Sequence, residues 1–360
     1  MTRIDQVLVS ASPGDAVTDF ARTLRRVLSA HVRSEIFALH YDPRLAGEVG
    51  PLQEYAERGK PRSARDVIVF HLSIGEPELA RFLHERPERL VVVYHNISPS
   101  EPFRPYDPTF AELLDEGRTQ LATLPRRATA AMTYTEFNAG ELRAAGYPGL
   151  QVLPLVVDVG GLRAAAPDAA TVHRLQAGGP GPLILSVGQL LPHKRPDFLV
   201  EAFHILCTYL VPDARLLLAG PTRLPAYREA VQTQIDELHL DRAVLAGAVS
   251  AEELAAFFHC ADLFVTASEH EGFCVPLLEA MAFDLPFIGR RFGAVPETSG
   301  RAGLLLDVAD GPAVAAEAMA TVLGDGSLRA GLIDAGRRRL ADFDAEVAKR
   351  AWRDALLAFT

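Results

Sequence analysis

The stretch Ser268-Glu269-His270-Glu271-Gly272-Phe273-Cys274-Val275-Pro276-Leu277-Leu278-Glu279-Ala280-Met281-Ala282 decides how the chain is read. The apolar run 263–267 enters it and is long enough for one buried strand. Pro276 suits the first position of a helix, where its missing N–H would be unpaired anyway. The segment therefore reads as strand, tight turn, helix. The turn leaves the backbone N–H groups of Gly272, Phe273 and Cys274 at a helix N-terminus, an arrangement that binds anions and phosphate above all. Glu271 and Glu279 flank that turn eight positions apart. Carboxylates on both sides make no sense for phosphate alone. They fit a phosphate flanked by hydroxylated groups, and a nucleotide diphosphate sugar is such a ligand.

Outward from this motif, short apolar runs alternate with amphipathic stretches. In the first half the runs are 7–11, 36–39, 67–70, 90–94, 130–134 and 152–155; Val17, Phe20, Ala21, Leu24, Val27 and Leu28 recur at helical spacing between the first two. In the second half they are 183–187, 215–219, 244–246, 263–267, 286–288 and 304–306. Near-continuous apolar strands alternating with helices predict parallel sheets covered on both faces. Ser250 and Glu253 form a capping box for a helix over 251–259, and a last helix is expected over about 344–359. Ala, Gly and Pro dominate the region between the halves. The expected organisation is an N-terminal domain over 1–160, a linker over 161–181, a C-terminal domain over 182–341, and a terminal helix over 342–360 that packs back on the N-terminal domain. The fold class is α/β, with two Rossmann-like doubly wound domains facing across a cleft; in such sheets ligands bind at the carboxyl ends of the strands.

A chain of 360 residues with 49% hydrophobic content supports two packed cores. Its formal charge of -10 disfavours nucleic acid as a partner and gives no indication of membrane contact. Cys207, Cys260 and Cys274 show no CxxC spacing, which fits a reduced, cytoplasmic protein. The start, Met1-Thr2-Arg3-Ile4, leads into a strand rather than a signal peptide, and no run approaches the ~18 apolar residues of a spanning helix.

Other residues gather at strand ends. Gly188 allows a sharp exit after 183–187, followed by Gln189 and then Lys194 at a helix start, a positive charge suited to a diphosphate. Ser12-Pro13-Gly14-Asp15 joins the first strand to the first helix. His71 and His95 end successive strands and suggest one polar pocket. No histidines stand at metal-ligand spacing, and G-x-S-x-G, GxGxxG and GxxxxGK[ST] are absent. No metal and no cofactor are expected.

At these residues the chain resembles glycosyltransferase family 4, the retaining transferases of the GT-B fold. The resemblance rests on Glu271-Gly272-Phe273 through Glu279-Ala280-Met281-Ala282, on Val187-Gly188 to Lys194, on Gly293-Ala294-Val295-Pro296-Glu297 and on Gly303-Leu304-Leu305. In the first half it rests on Tyr94-His95-Asn96-Ile97-Ser98-Pro99 and Glu136-Phe137-Asn138-Ala139-Gly140-Glu141-Leu142. It implies transfer of a sugar from a nucleotide diphosphate sugar to a hydroxylated acceptor. It implies that Glu271 meets hydroxyls of the donor sugar, that Phe273 and Cys274 with Gly272 and Val275 line the donor turn, and that Glu279 holds the ribose. It implies that Lys194 neutralises the leaving diphosphate, that His95 approaches the donor sugar, and that Gly14 lets its loop approach the diphosphate or acceptor. Asp15, His71, Asn96 and Asn138 are the acceptor-side candidates.

Two positions depart from the family pattern. Gln189 stands where an arginine is usual, with Arg195 beyond Lys194 as the alternative cation. Cys274 replaces the second glycine of Gly-Phe-Gly and reads as a packing residue rather than a nucleophile. The rival readings are a nucleotide-sugar epimerase of the same fold and a non-catalytic nucleotide-sugar-binding protein.

Overall fold

The computed structural model describes residues 2–55 and 63–360. They divide into two compact units. The first comprises the chain up to Arg104, Pro108–Val156 and Asp344–Thr360; the second comprises Pro105–Asp107 and Val157–Phe343.

The first unit holds seven strands: β1 (Ile4–Ala11), β2 (Ile36–Tyr41), β3 (Val49–Pro51), β4 (Val67–Leu72), β5 (Arg89–Tyr94), β6 (Ala128–Thr133) and β7 (Gln151–Val152). Their order is β3-β2-β1-β4-β5-β6-β7, and every pairing is parallel. The chain therefore moves outward from β1 in one direction and then restarts beside it with β4. The β1/β4 border is the switch point, where crossover helices leave on opposite faces and open a crevice. Strand β4 is buried along its whole length, as expected for a sheet covered on both sides. β3 escapes sequence detection because it is three residues long and contains Gly50 and Pro51. The expected strand 152–155 shrinks to the two residues of β7, and Pro154 instead offers its carbonyl to a tryptophan.

That tryptophan, Trp352, lies on the helix Ala345–Leu357. Its indole N–H donates to Pro154 O at 2.8 Å, and its ring meets Phe20 edge-on at 4.9 Å. Trp352 and Leu356 are fully buried with Ile4, Leu24, Val69 and Val91. The terminal helix is thus part of this unit's core.

The second unit has β8 (Leu183–Val187), β9 (Arg215–Ala219), β10 (Ala243–Gly247), β11 (Leu263–Val265), β12 (Phe287–Arg290) and β13 (Leu304–Leu306), ordered β10-β9-β8-β11-β12-β13 and all parallel. Its switch point is the β8/β11 border. The stretch 161–181, expected as a linker, is mostly helical. Asp158 caps Val159–Ala164 through Gly161 N, and Asp168 caps Ala169–Ala177 through Thr171 N. Two local caps outweigh the helix-weakening Gly160 and Gly161 that suggested a linker. Among the described residues no helix is long and apolar enough to cross a membrane.

Trp352 is the only tryptophan in the chain, so its fluorescence follows the first unit. Leu356→Ala should cost about 3 kcal/mol and move the urea midpoint of that signal down. An unchanged midpoint would mean the terminal helix does not hold the unit together.

Candidate active site

In the second unit the switch point brings two loops together, one after β8 and one after β11. Glu269 N donates to His193 O at 2.8 Å, which ties one loop to the other. The Glu269 side chain accepts from Arg195 and, at 3.1 Å, from Arg290. Arg290 is itself buried, with its guanidinium 4.5 Å from the Phe198 ring centre. Arg195 is also held by Asp197 at 3.0 Å. Two carboxylates, Asp197 and Glu269, therefore already pair with Arg195.

These ties set Lys194 against Glu271. Lys194 Nζ lies 2.6 Å from Glu271 Oε1, with Glu271 buried and Lys194 half-buried. Burial works against the ammonium charge, but Glu271 beside it more than reverses that and raises the Lys194 pKa above the usual lysine value. The Glu271 loop is braced from behind. Ala294 N donates to Glu271 O at 2.8 Å, and Thr298 Oγ1 donates to Phe273 O. A Cβ on Gly293 would stand 2.4 Å from Glu271 O, so only glycine fits there. The Gly293-Ala294 motif thus acts by holding the glutamate loop.

The loop ends at Cys274, φ 78 and ψ 65, the N-cap of Val275–Ala282. Val275 rather than Pro276 is the first helical residue, and no side chain caps this N-terminus. A left-handed non-glycine residue costs about 1 to 3 kcal/mol, which explains why glycine suits this position. The Cys274 thiol is buried and its pKa is pushed well above the usual thiol value by desolvation, the opposite of what a nucleophile needs. Glu279, one turn into the helix, is half-buried, and burial raises its pKa to about 7. Its carboxylate has no hydrogen-bond partner among the described residues.

Beside Gly188 and Lys194 lies an open depression, also lined by exposed Gln189 and by Thr222, Arg228 and Ser268. Gly220 makes it possible: with φ 146, its Cβ would collide with Gly188 O at 1.9 Å. Sequence reading missed Gly220, Thr222, Arg228 and Ser268. Gly220-Pro221 directly after the run 215–219 was the available signal.

The first unit gathers a second group. His95 follows β5, and its ring contacts His71 of β4. Asn96, at φ 76, donates from Nδ2 to Asn138 Oδ1 at 2.7 Å. Asp15 caps the helix Ala16–Leu28, accepting from Thr18 N at 2.8 Å and Thr18 Oγ1 at 2.7 Å. Gly14, φ 76, makes the turn ahead of that cap and has open space around it. Of the four acceptor-side candidates, His71, Asn96 and Asn138 are buried, and all four are engaged in bonds inside the unit.

Two parallel sheets of six and seven strands, each doubly wound, with a turn between two glutamates at one switch point, have the arrangement of the GT-B fold. Over residues 172–339 the chain matches the family model "Glycosyl transferases group 1". Over that part, and in its relatives, the chain is similar to glycosyltransferases.

It is 29% identical over 226 residues to the GDP-mannose-dependent alpha-(1-6)-phosphatidylinositol monomannoside mannosyltransferase of Mycolicibacterium smegmatis, covering 59% of this chain and 56% of that protein. It is 34% identical over 140 residues to the N-acetyl-alpha-D-glucosaminyl L-malate synthase of Bacillus anthracis, covering 38% and 35%. The chain thus spans about a third to just over half of the length of these relatives. Among solved structures, HepE of Anabaena in complex with UDP-glucose superposes with a TM-score of 0.78 at 16% identity, over 99% of this chain and 100% of that one.

Breaking the Lys194–Glu271 pair from either side should be costly. Lys194→Met or Glu271→Gln is expected to lose about 3 kcal/mol of stability, and the double variant to recover much of it. Additive losses in a denaturation cycle would show that the two charges do not depend on each other.

Proposed function

We propose that this protein is a retaining, metal-independent glycosyltransferase that moves a hexosyl or related group from a nucleoside diphosphate sugar to an acceptor hydroxyl in glycan biosynthesis. The observation that carries the reading is the Lys194–Glu271 pair, 2.6 Å apart, beside a helix N-terminus that no side chain caps. The family match and the fold support the reaction class. HepE was crystallised with UDP-glucose, and the mycobacterial relative uses GDP-mannose, which supports a nucleotide sugar as donor here.

In this reading the diphosphate rests on the turn Gly272-Phe273-Cys274 and against Lys194. As the glycosidic bond lengthens, negative charge grows on the leaving phosphate oxygen. Lys194 and the helix N-terminus stabilise that charge from fixed positions; one such contact is worth about 3 kcal/mol in a transition state. This charge balance needs no metal. Glu271 shares its carboxylate between Lys194 and sugar hydroxyls, which orients the anomeric carbon relative to the departing oxygen. Glu279, desolvated and open, accepts both ribose hydroxyls through its two oxygens. His95 meets a hydroxyl of the donor sugar. Arg228, which lines the depression, is a further cation for the nucleotide.

The test is a thermal-shift panel of nucleoside diphosphate sugars, followed by incubation of the stabilising one without acceptor. A transferase releases nucleoside diphosphate slowly, and Lys194→Ala lowers that rate at saturating donor by about a hundredfold. Epimerised sugar without release would favour an epimerase. Stabilisation with neither outcome would favour a binding protein.

A further inference from the structure

The bonds behind His95 run in one direction only. In the first unit Gln6 on β1 is fully buried, and its Nε2 donates to Ala21 O at 2.9 Å. A carbonyl can only accept, so the amide has one orientation and Gln6 Oε1 faces the other way. His71 Nε2 lies 2.9 Å from that oxygen, so His71 carries its proton on Nε2. His71 is buried within the sheet, and desolvation holds its pKa well below the ordinary histidine value, so it is neutral and its Nδ1 is a bare lone pair. His71 Nδ1 lies 2.9 Å from His95 Nε2, and a lone pair there requires His95 to donate.

We propose that Gln6 and His71 are positioning residues that hold His95 as its neutral Nε2–H tautomer, leaving the His95 Nδ1 lone pair to accept a hydrogen bond from a ligand hydroxyl. The His71 and His95 rings are stacked at 5.1 Å, and Phe20 meets them edge-on at 6.0 and 5.3 Å. Tyr134 lies 5.8 Å from the His95 ring, and its hydroxyl donates to His95 O at 3.1 Å. Burial keeps His95 neutral too, at a pKa of about 3. No hydrogen bond from His95 Nδ1 forms among the described residues.

A neutral imidazole lone pair attracts a hydroxyl and repels a phosphate oxygen. His95 is therefore a hydroxyl selector and not a cation for the diphosphate. The sugar hydroxyl as its partner rests on the function proposed above; the tautomer does not. Nor is Gln6 legible as a functional residue in sequence, where it reads as a stray polar position in a buried strand.

The test is a long-range ¹H–¹⁵N spectrum of the full chain with labelled histidine at pH 7. The expected result is a protonated Nε2 and an unprotonated Nδ1 on both His71 and His95. In Gln6→Glu the carboxylate draws a second proton onto His71, whose Nδ1–H then donates to His95 and drives it to the Nδ1–H form. Turnover in that variant should fall about tenfold, the scale of one lost neutral hydrogen bond, with the melting temperature near that of the parent. His95 found as Nδ1–H, or charged, in the parent protein overturns the proposal, and that spectrum decides even if the variant does not fold. The tautomer found as stated, with His95→Ala turning over at the parent rate, overturns the role of His95 in transfer while the tautomer assignment stands.

Discussion

Lys194 and Glu271 face each other in a place where neither charge is well solvated. Their attraction in a low dielectric roughly offsets what desolvation costs, and each becomes a liability without the other. The surrounding construction follows from keeping them together. Glu269 clamps the Lys194 loop through Arg195 and a backbone bond, and Arg290 of β12 holds Glu269 in turn. Gly293 and Ala294 hold the Glu271 backbone from behind. Cys274 accepts a left-handed backbone as the N-cap from which the helix Val275–Ala282 begins. A stable pair that also borders an uncapped helix N-terminus suits a ligand with a negative centre and hydroxylated flanks.

The two glutamates differ in electrostatic state despite sitting eight residues apart. Glu271 is neutralised by an ammonium at contact distance. Glu279 has burial and no counter-charge, so its pKa sits near neutrality. The sign follows directly: the folded protein binds a proton at Glu279 that the unfolded chain would release, so this group costs stability as pH rises from about 4.5 towards 7. A ligand whose hydroxyls donate to Glu279 favours the charged form and recovers that cost.

The β8–β11 region was readable because its physics is local. Apolar runs, a glycine exit and a proline near a helix start fix strand, turn and helix within fifteen residues, and the switch-point rule then places them side by side. The short strand β3 was not readable, since three residues with glycine and proline carry no period. The helices within 161–181 were not readable because two aspartate caps outweigh glycine-rich composition. Gly220 and Gln6 stayed hidden for another reason. Each acts through a partner far along the chain, Gly188 for the first and His71 for the second, and no spacing rule joins them. Arg195 was legible only as a charge; that Asp197 and Glu269 already occupy it is a fact of three dimensions.

The account stands or falls on a nucleoside diphosphate seated between Lys194 and Glu279. The direct measurement is calorimetric titration of the nucleoside diphosphate at pH 7 in buffers of different ionisation enthalpy. Binding should release a substantial fraction of a proton, seen as a buffer-dependent heat, and Glu279→Gln should bind with a markedly smaller release. A parent protein that binds with buffer-independent heat, or that does not bind at all, would contradict the assignment of this site.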